Sequence, residues 1–293
     1  MIRNMKLPAG WYPRGAEEID GYLRDYLGER RGEARAALAP HAGWFFSGKI
    51  AAQALAALSR DAGTVVVAGG HLPADAPVLF AEEDSADTPL GEIVIDTELR
   101  SLVKKEFASA GLLCAADGYT DNTVEVLLPA VRRFFPKSRL LWLRIGAGEY
   151  AFEAGALIAR AASVLGRGLV MLVSSDLTHY GPNYGFCPKG LGKSAVDWVR
   201  VVNDRRFIDA VLSGGAKTAL DRAAKEQSAC SAGAVLCGMG FSAEIRAVSG
   251  GLKEIPAARL LGYTTSADVM SASLGSSGGR VADSFVGYAA VSL

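Results

Sequence analysis

Short runs of largely apolar residues alternate along this chain with segments of helical periodicity, and this alternation restricts the fold more than any other feature. Residues 34–39, 64–68, 140–145 and 169–173 carry apolar side chains at successive positions rather than at every second one, as strands buried on both faces require. Between them, residues 17–29, 47–59, 97–110, 123–135 and 150–165 repeat apolar side chains at helical spacing. In the first of these, Ile19, Tyr22, Leu23, Tyr26 and Leu27 form one stripe, and Gly28 or Gly32 ends it. Pro129 is expected to kink the helix at 123–135. Residues 90–95, entered through Pro89, read as a further strand. Strands alternating with helices build a sheet covered on both faces. The fold class is therefore α/β, a layered sandwich with a mostly parallel or mixed central sheet.

The second half is less regular. Residues 203–212, 217–225 and 231–240 read as helices, and 259–265 and 285–292 as strands. The Ser- and Gly-rich stretch 271–279 reads as a loop; a strand follows it, so it is not a domain boundary. No repeat with a period of about 20 to 50 residues and no long Pro/Ser linker occurs. A chain of 293 residues is large enough for one or two domains. Residues 1–293 are expected to form one.

The 31 basic and 31 acidic side chains cancel. Nucleic acid and anionic membranes are disfavoured as partners, because gripping them takes a clustered basic excess. No apolar run approaches the ~18 residues of a membrane span. After Arg3 and Lys6 comes Leu7-Pro8-Ala9-Gly10-Trp11, where a signal peptide would place an apolar run, so a cytoplasmic location is expected. Cys114, Cys187, Cys230 and Cys237 include no C-x-x-C pair, which argues against a disulfide framework or zinc ribbon and fits a reducing compartment.

All three histidines follow an apolar strand in turn-like sequence: His41 in Ala39-Pro40-His41-Ala42-Gly43, His71 after Gly69-Gly70, and His179 in Ser174-Ser175-Asp176-Leu177-Thr178-His179-Tyr180-Gly181. Loops at strand ends converge on a rigid base in an open α/β sheet, so three such histidines can meet. Each alone is as well explained by local backbone hydrogen bonding. Two imidazoles plus one further donor suit a divalent first-row metal with an open position. Cys230 enters a small-residue helix whose N-terminus favours thiolate, although a small buried hydrophobe fits the local sequence equally well. Cys114 and Cys237 read as core and Cys187 as an incidental loop residue. Asp176, three residues before His179, can orient its imidazole for proton exchange or simply close an Asx turn. Glu125 reads foremost as an acid serving a helix dipole. Trp44, Phe45 and Phe46 read as core, with a pocket wall as the alternative. Gly69-Gly70 lacks the spacing of a dinucleotide or phosphate loop, and no nucleotide cofactor is indicated.

These motifs together resemble the Memo family, whose bacterial and archaeal members include protein B of the AmmeMemoRadiSam system. The resemblance runs nearly end to end: AGWYP at 9–13, APHAGWFFSG at 39–48, GGH at 69–71, VEVLLP at 124–129, SSDLTHYG at 174–181, the turn at Cys230, LLGYTTSADV at 260–269 and VGYAAV at 286–291. It implies a fold like that of the class III extradiol dioxygenases, which hold non-haem iron with two histidines and a carboxylate. Memo proteins resemble that site with a cysteine in place of the carboxylate. Carried over residue by residue, the resemblance implies His41, His71 and Cys230 as metal ligands, His179 as acid/base and Asp176 beside it. The implied metal is ferrous iron, although zinc or copper accept the same donors. An AMMECR-like protein and a radical SAM protein are implied as functional partners.

Two departures stand out. Asp121-Asn122-Thr123 replaces the family's Glu-His-Ser, and Ala68-Gly69-Gly70-His71 replaces its Gly-Pro-Ser-His or Gly-Pro-Asn-His. Three functions compete on this reading. The leading one is a dioxygenase-like redox enzyme acting on a small molecule. The second is a non-catalytic module binding peptide or ligand, against which no Arg cluster stands ready for phosphate. The third is a hydrolase in which Cys230 attacks, His179 takes its proton and Asp176 orients the imidazole.

Overall fold

The structure is a computed structural model that describes residues 1–28, 32–248, 257–274 and 282–293. Among the described residues nine strands form the main sheet: β1 (Ala36–Ala39), β2 (Thr64–Gly69), β3 (Val78–Phe80), β4 (Cys114–Ala116), β5 (Arg139–Arg144), β6 (Leu169–Ser174), β7 (His179–Tyr180), β8 (Arg259–Thr265) and β9 (Phe285–Ser292). The order is β7-β9-β1-β6-β2-β5-β3-β4, with β8 also on β9. Strands β1, β6, β2 and β5 are mutually parallel; β9 joins β1, and β3 joins β5, in antiparallel sense. The sheet is mixed with a parallel centre, and the class is α/β as expected.

The helices are α1 (Ala16–Leu23), α2 (Trp44–Ala57), α3 (Thr97–Ser109), α4 (Asn122–Glu125), α5 (Leu128–Phe134), α6 (Tyr150–Val164), α7 (Lys193–Trp198), α8 (Asp204–Leu212), α9 (Ala216–Glu226), α10 (Ala232–Val248) and α11 (Ser266–Leu274). Successive strand residues face opposite sides. Val66, Ala68, Leu141, Leu143, Met171 and Val173 therefore pack with α3, α6, α8, α9 and α10, while Val65, Val67, Leu140, Trp142, Val170 and Leu172 pack with α1, α2 and α5. Glycines let α6 and α10 approach closely: a Cβ on Gly155 would stand 1.8 Å from the Cys237 carbonyl oxygen, and one on Gly240 1.8 Å from that of Phe152.

Several boundaries differ from the sequence reading. The first helix ends at Leu23 and continues as a 3₁₀ turn over Arg24–Tyr26; Glu29 lies outside the described residues. Helix α2 begins at Trp44, so the aromatic triplet forms its first turn. Residues 90–95 do not make one strand, because the chain turns at Gly91, whose φ is +92°. Ile93–Val94 pair in a separate three-stranded sheet with Ser85–Ala86 and Ile2–Arg3, and Ile95 makes a single parallel bridge to Leu140. The helix expected over 123–135 is two helices, α4 and α5. Pro129 sits in the first turn of α5, where its missing N–H costs no intrahelical bond. Of the loop expected at 271–279, residues 271–274 complete α11, and 275–279 lie outside the described residues.

Candidate metal centre

Parallel β1, β6 and β2 lie side by side, and their registers set Ala39 opposite Ser174 and Ala68 opposite Val173. Chain leaving these strands brings His41, Asp176 with His179, and His71 to one end of the sheet. A fourth piece arrives where the chain enters α10: the Cys230 N–H donates to the Asp176 carbonyl (3.2 Å) and the Ser231 N–H to Ser175 Oγ (3.1 Å). The Gly69-Gly70 pair serves this convergence. A Cβ on Gly69 would lie 2.2 Å from Thr123 Oγ1, and one on Gly70 2.4 Å from the Ser231 Cβ, so only glycine passes between α4 and the start of α10.

One nitrogen or sulfur from each of His41, His71 and Cys230 lies within 4.8 Å of the other two. His41 is buried; its Nδ1 meets Ser174 Oγ at 2.8 Å and its Nε2 meets Cys230 Sγ at 3.2 Å. His71 lies edge-on to His41, with ring centroids 4.9 Å apart, and its Nδ1 meets Asp121 Oδ2 at 3.1 Å. Burial works against charge on Cys230, yet the His41 and His71 imidazoles outweigh it and pull the thiol well below its ordinary range. Burial likewise opposes protonation of His71, but bonds to Asp121 and Cys230 raise it to about 10. Asp176 is buried, which opposes ionisation, yet His41, His179 and the His41 N–H (2.7 Å to Oδ1) hold its carboxyl below the usual range.

His179 stands beside this group and not in it. Its Nε2 is 3.8 Å from Asp176 Oδ2, and its ring packs on Tyr184 with centroids 5.0 Å apart. Cys230 Sγ meets the His41 imidazole at 3.2 Å, which alters the Cys230–His179–Asp176 arrangement of the hydrolase reading. An open cavity of about 460 Å³ lies over the site, lined by His41, His71, Asn122, Asp176 and His179 and by Trp11, Phe46, Tyr184, Met270 and Tyr288. Phe46 is thus a wall, whereas Trp44 is core and donates its indole N–H to the Val126 carbonyl. Phe45 is half-exposed, against the core reading. Cys237 is core, with burial pushing its thiol up to about 12; Cys187 is exposed, and Cys114 lies half-buried in edge strand β4.

Residues 3–292 match the Memo-like protein family. This chain belongs to that family. Among its curated relatives, MEMO1 family proteins of Thermococcus onnurineus and Methanosarcina mazei are each 30% identical, the first over 99% of both chains and the second over 99% of this chain and 98% of its own. One from Pyrococcus abyssi is 31% identical over 99% of both chains. The crystal structure of an uncharacterized protein from Escherichia coli K12 aligns over 87% of this chain and 98% of its own, with 12% identity and a TM-score of 0.49.

In this Memo-like chain the Asp121-Asn122-Thr123 departure is accounted for by contacts. Asn122 Nδ2 donates to the His41 carbonyl (2.8 Å), and Asp121 is the partner of His71. Glu125 lies in the single turn of α4, near the helix start as expected. Its carboxylate also accepts the N–H groups of Lys6 and Leu7 and the Tyr12 hydroxyl, tying down the N-terminal segment. Sequence reasoning passed over Arg144, the last residue of β5, whose partners Asp117 and Asp121 are distant in sequence. It also passed over Asp204, which lies 28 residues beyond Asp176 and accepts Thr178 N–H at 3.0 Å and the Tyr263 hydroxyl at 2.7 Å.

Proposed function

We propose that His41, His71 and Cys230 hold one divalent first-row metal ion, ferrous iron in the cell, and that the chain acts as a dioxygenase-like redox enzyme on a small molecule received by the cavity. The observation that carries the reading is the convergence of two imidazoles and a thiolate within 4.8 Å, each histidine having its other ring nitrogen already engaged. That engagement leaves Nε2 of each ring directed at the centre, an arrangement general to metal-ligating histidines. Iron, once bound, supplies redox chemistry at the positions three protein donors leave open.

The remaining work falls to side chains of the chain itself. Cys230 brings a negative charge that a carboxylate would otherwise bring, with a softer atom. His179 Nε2 holds a substrate proton at the cavity wall, and Asp176, shared between His41 and His179, fixes both rings. Tyr184 packs against the His179 ring and helps to hold it. Among the described residues no helix is long and apolar enough to cross a membrane, and four free cysteines support a reducing, cytoplasmic setting. AMMECR-like and radical SAM proteins remain functional partners on family membership.

The 3.2 Å approach of Cys230 Sγ to His41 Nε2 also favours a second reading, an activated nucleophile. Iodoacetamide distinguishes the two. On the metal reading, Cys230 alkylates quickly in metal-free protein and at least ~10-fold more slowly after anaerobic loading with ferrous iron. Equal rates in the two preparations favour the nucleophile and contradict a metal-bound thiolate.

A further inference from the structure

His71 is the least secured member of the triad. His41 is 1% exposed, whereas the His71 side chain is 31% exposed. The His71 backbone has φ +58°, the left-handed region that a β-carbon disfavours. A ligand on an exposed turn in such a conformation keeps its aim only if something outside the turn holds it. One buried side chain touches both the turn and the partner of the His71 ring. Arg144 Nη1 lies 3.5 Å from the carbonyl oxygen of Gly70, the residue before His71, and 3.0 Å from Asp121 Oδ2, the oxygen that meets His71 Nδ1.

Arg144 is itself fixed. Its Nε and Nη2 donate to the two oxygens of Asp117 at 3.1 and 3.2 Å, and Asp117 is fully buried. Trp142 Nε1 donates to Asp117 Oδ2 at 2.9 Å, and Arg3, stacked 4.3 Å over the Trp142 ring, donates to the Asp117 carbonyl at 2.6 Å. The other Asp121 oxygen accepts the Thr123 N–H at 2.8 Å and the Thr123 hydroxyl. Asp121 therefore has donors on both oxygens and cannot swing.

Resting on the metal reading above, we propose that Arg144 is the positioning residue of the metal centre: with Asp121 it clamps the His71 turn and fixes Nδ1 as the ring's outward N–H and Nε2 as its ligand atom. Arg144 touches neither metal nor substrate; it acts through Asp121 and Gly70. A planar fork that binds one carboxylate with two nitrogens while offering a third to another is a property of Arg that Lys lacks.

The test uses the whole protein, anaerobic Co²⁺ as the probe, and two variants, Arg144→Lys and Asp121→Asn. The second is nearly isosteric and leaves Arg144 on Asp117, so it remains informative if the first fails to fold. Both are expected to bind Co²⁺ about 10- to 100-fold more weakly than wild type. At saturating cobalt both keep the thiolate-to-cobalt charge-transfer band that Cys230→Ala abolishes. A readout independent of metal is the NMR resonance of the His71 Nδ1 proton, slowed in exchange by Asp121. It is expected in wild type and lost in both variants. Wild-type affinity together with a retained resonance in a folded variant overturns the proposal. If wild-type protein takes up no Co²⁺, the metal reading fails, and the resonance alone decides whether Arg144 clamps the turn.

Discussion

At the scale of single residues, proton inventories separate the roles of neighbouring groups. Against burial, bonds to Asp121 and Cys230 raise the proton affinity of His71, and a proton on Nε2 must leave before that nitrogen can bind metal. Iron uptake is therefore expected to release protons and to tighten as pH rises from about 6 to 8, checked by anaerobic calorimetry in buffers of different ionisation enthalpy. On the proposed reading, in which His179 lies outside the triad and serves the substrate proton, His179→Ala is expected to keep full metal content while losing at least ~100-fold in turnover; loss of metal in this variant counts against that division. Asp204 gives a separate signature. Burial outweighs the donors Thr178 and Tyr263 and pushes its carboxyl up to about 7. The folded chain binds this proton more tightly than the unfolded one, whose carboxyl titrates near ~3.9. Its contribution is full below about pH 4 and is lost as pH rises through about 7, a change of the order of a few kcal/mol. Urea midpoints followed from pH 4.5 to 7.5 should fall for wild type more than for Asp204→Asn; parallel slopes contradict this.

At the scale of elements, close contacts decide where substitution is costly. A methyl group on Gly240 would lie 1.8 Å from the Phe152 carbonyl oxygen, which is backbone and cannot step aside. Gly240→Ala is expected to cost about 3 kcal/mol or more by forcing α6 and α10 apart, measured by urea unfolding. What the sequence made legible follows the same physics. The long apolar strands and their helices announced themselves because burial on two faces leaves a continuous pattern. His41, His71 and His179 stood out because each directly follows such a strand. Three-residue strands such as β3 and β4 carry too little pattern to be read. The α4–α5 break was hidden because Pro129 is compatible with a helix start as well as a kink. Arg144 and Asp204 were invisible for another reason: their partners are distant in sequence, and only the strand order and the packing of α8 bring them to the site.

At the scale of the whole molecule, the N-terminal segment is part of the site's foundation. Arg3 reaches Asp117 beneath Arg144, and Glu125 anchors Lys6, Leu7 and Tyr12. Glu125→Ala leaves these donors without their acceptor and is expected to cost about 3 kcal/mol, seen as a lower urea midpoint. One continuous sheet with helices packed on both faces is expected to unfold in a single transition, with fluorescence and circular dichroism coincident. The central claim is that His41, His71 and Cys230 make one metal centre, and elemental analysis of protein prepared without oxygen tests it most directly. Wild type is expected to carry close to one iron per chain, and Cys230→Ser, folded to the same extent, to have lost most of it. Absence of metal from both proteins, even after anaerobic loading with ferrous iron, would contradict the account.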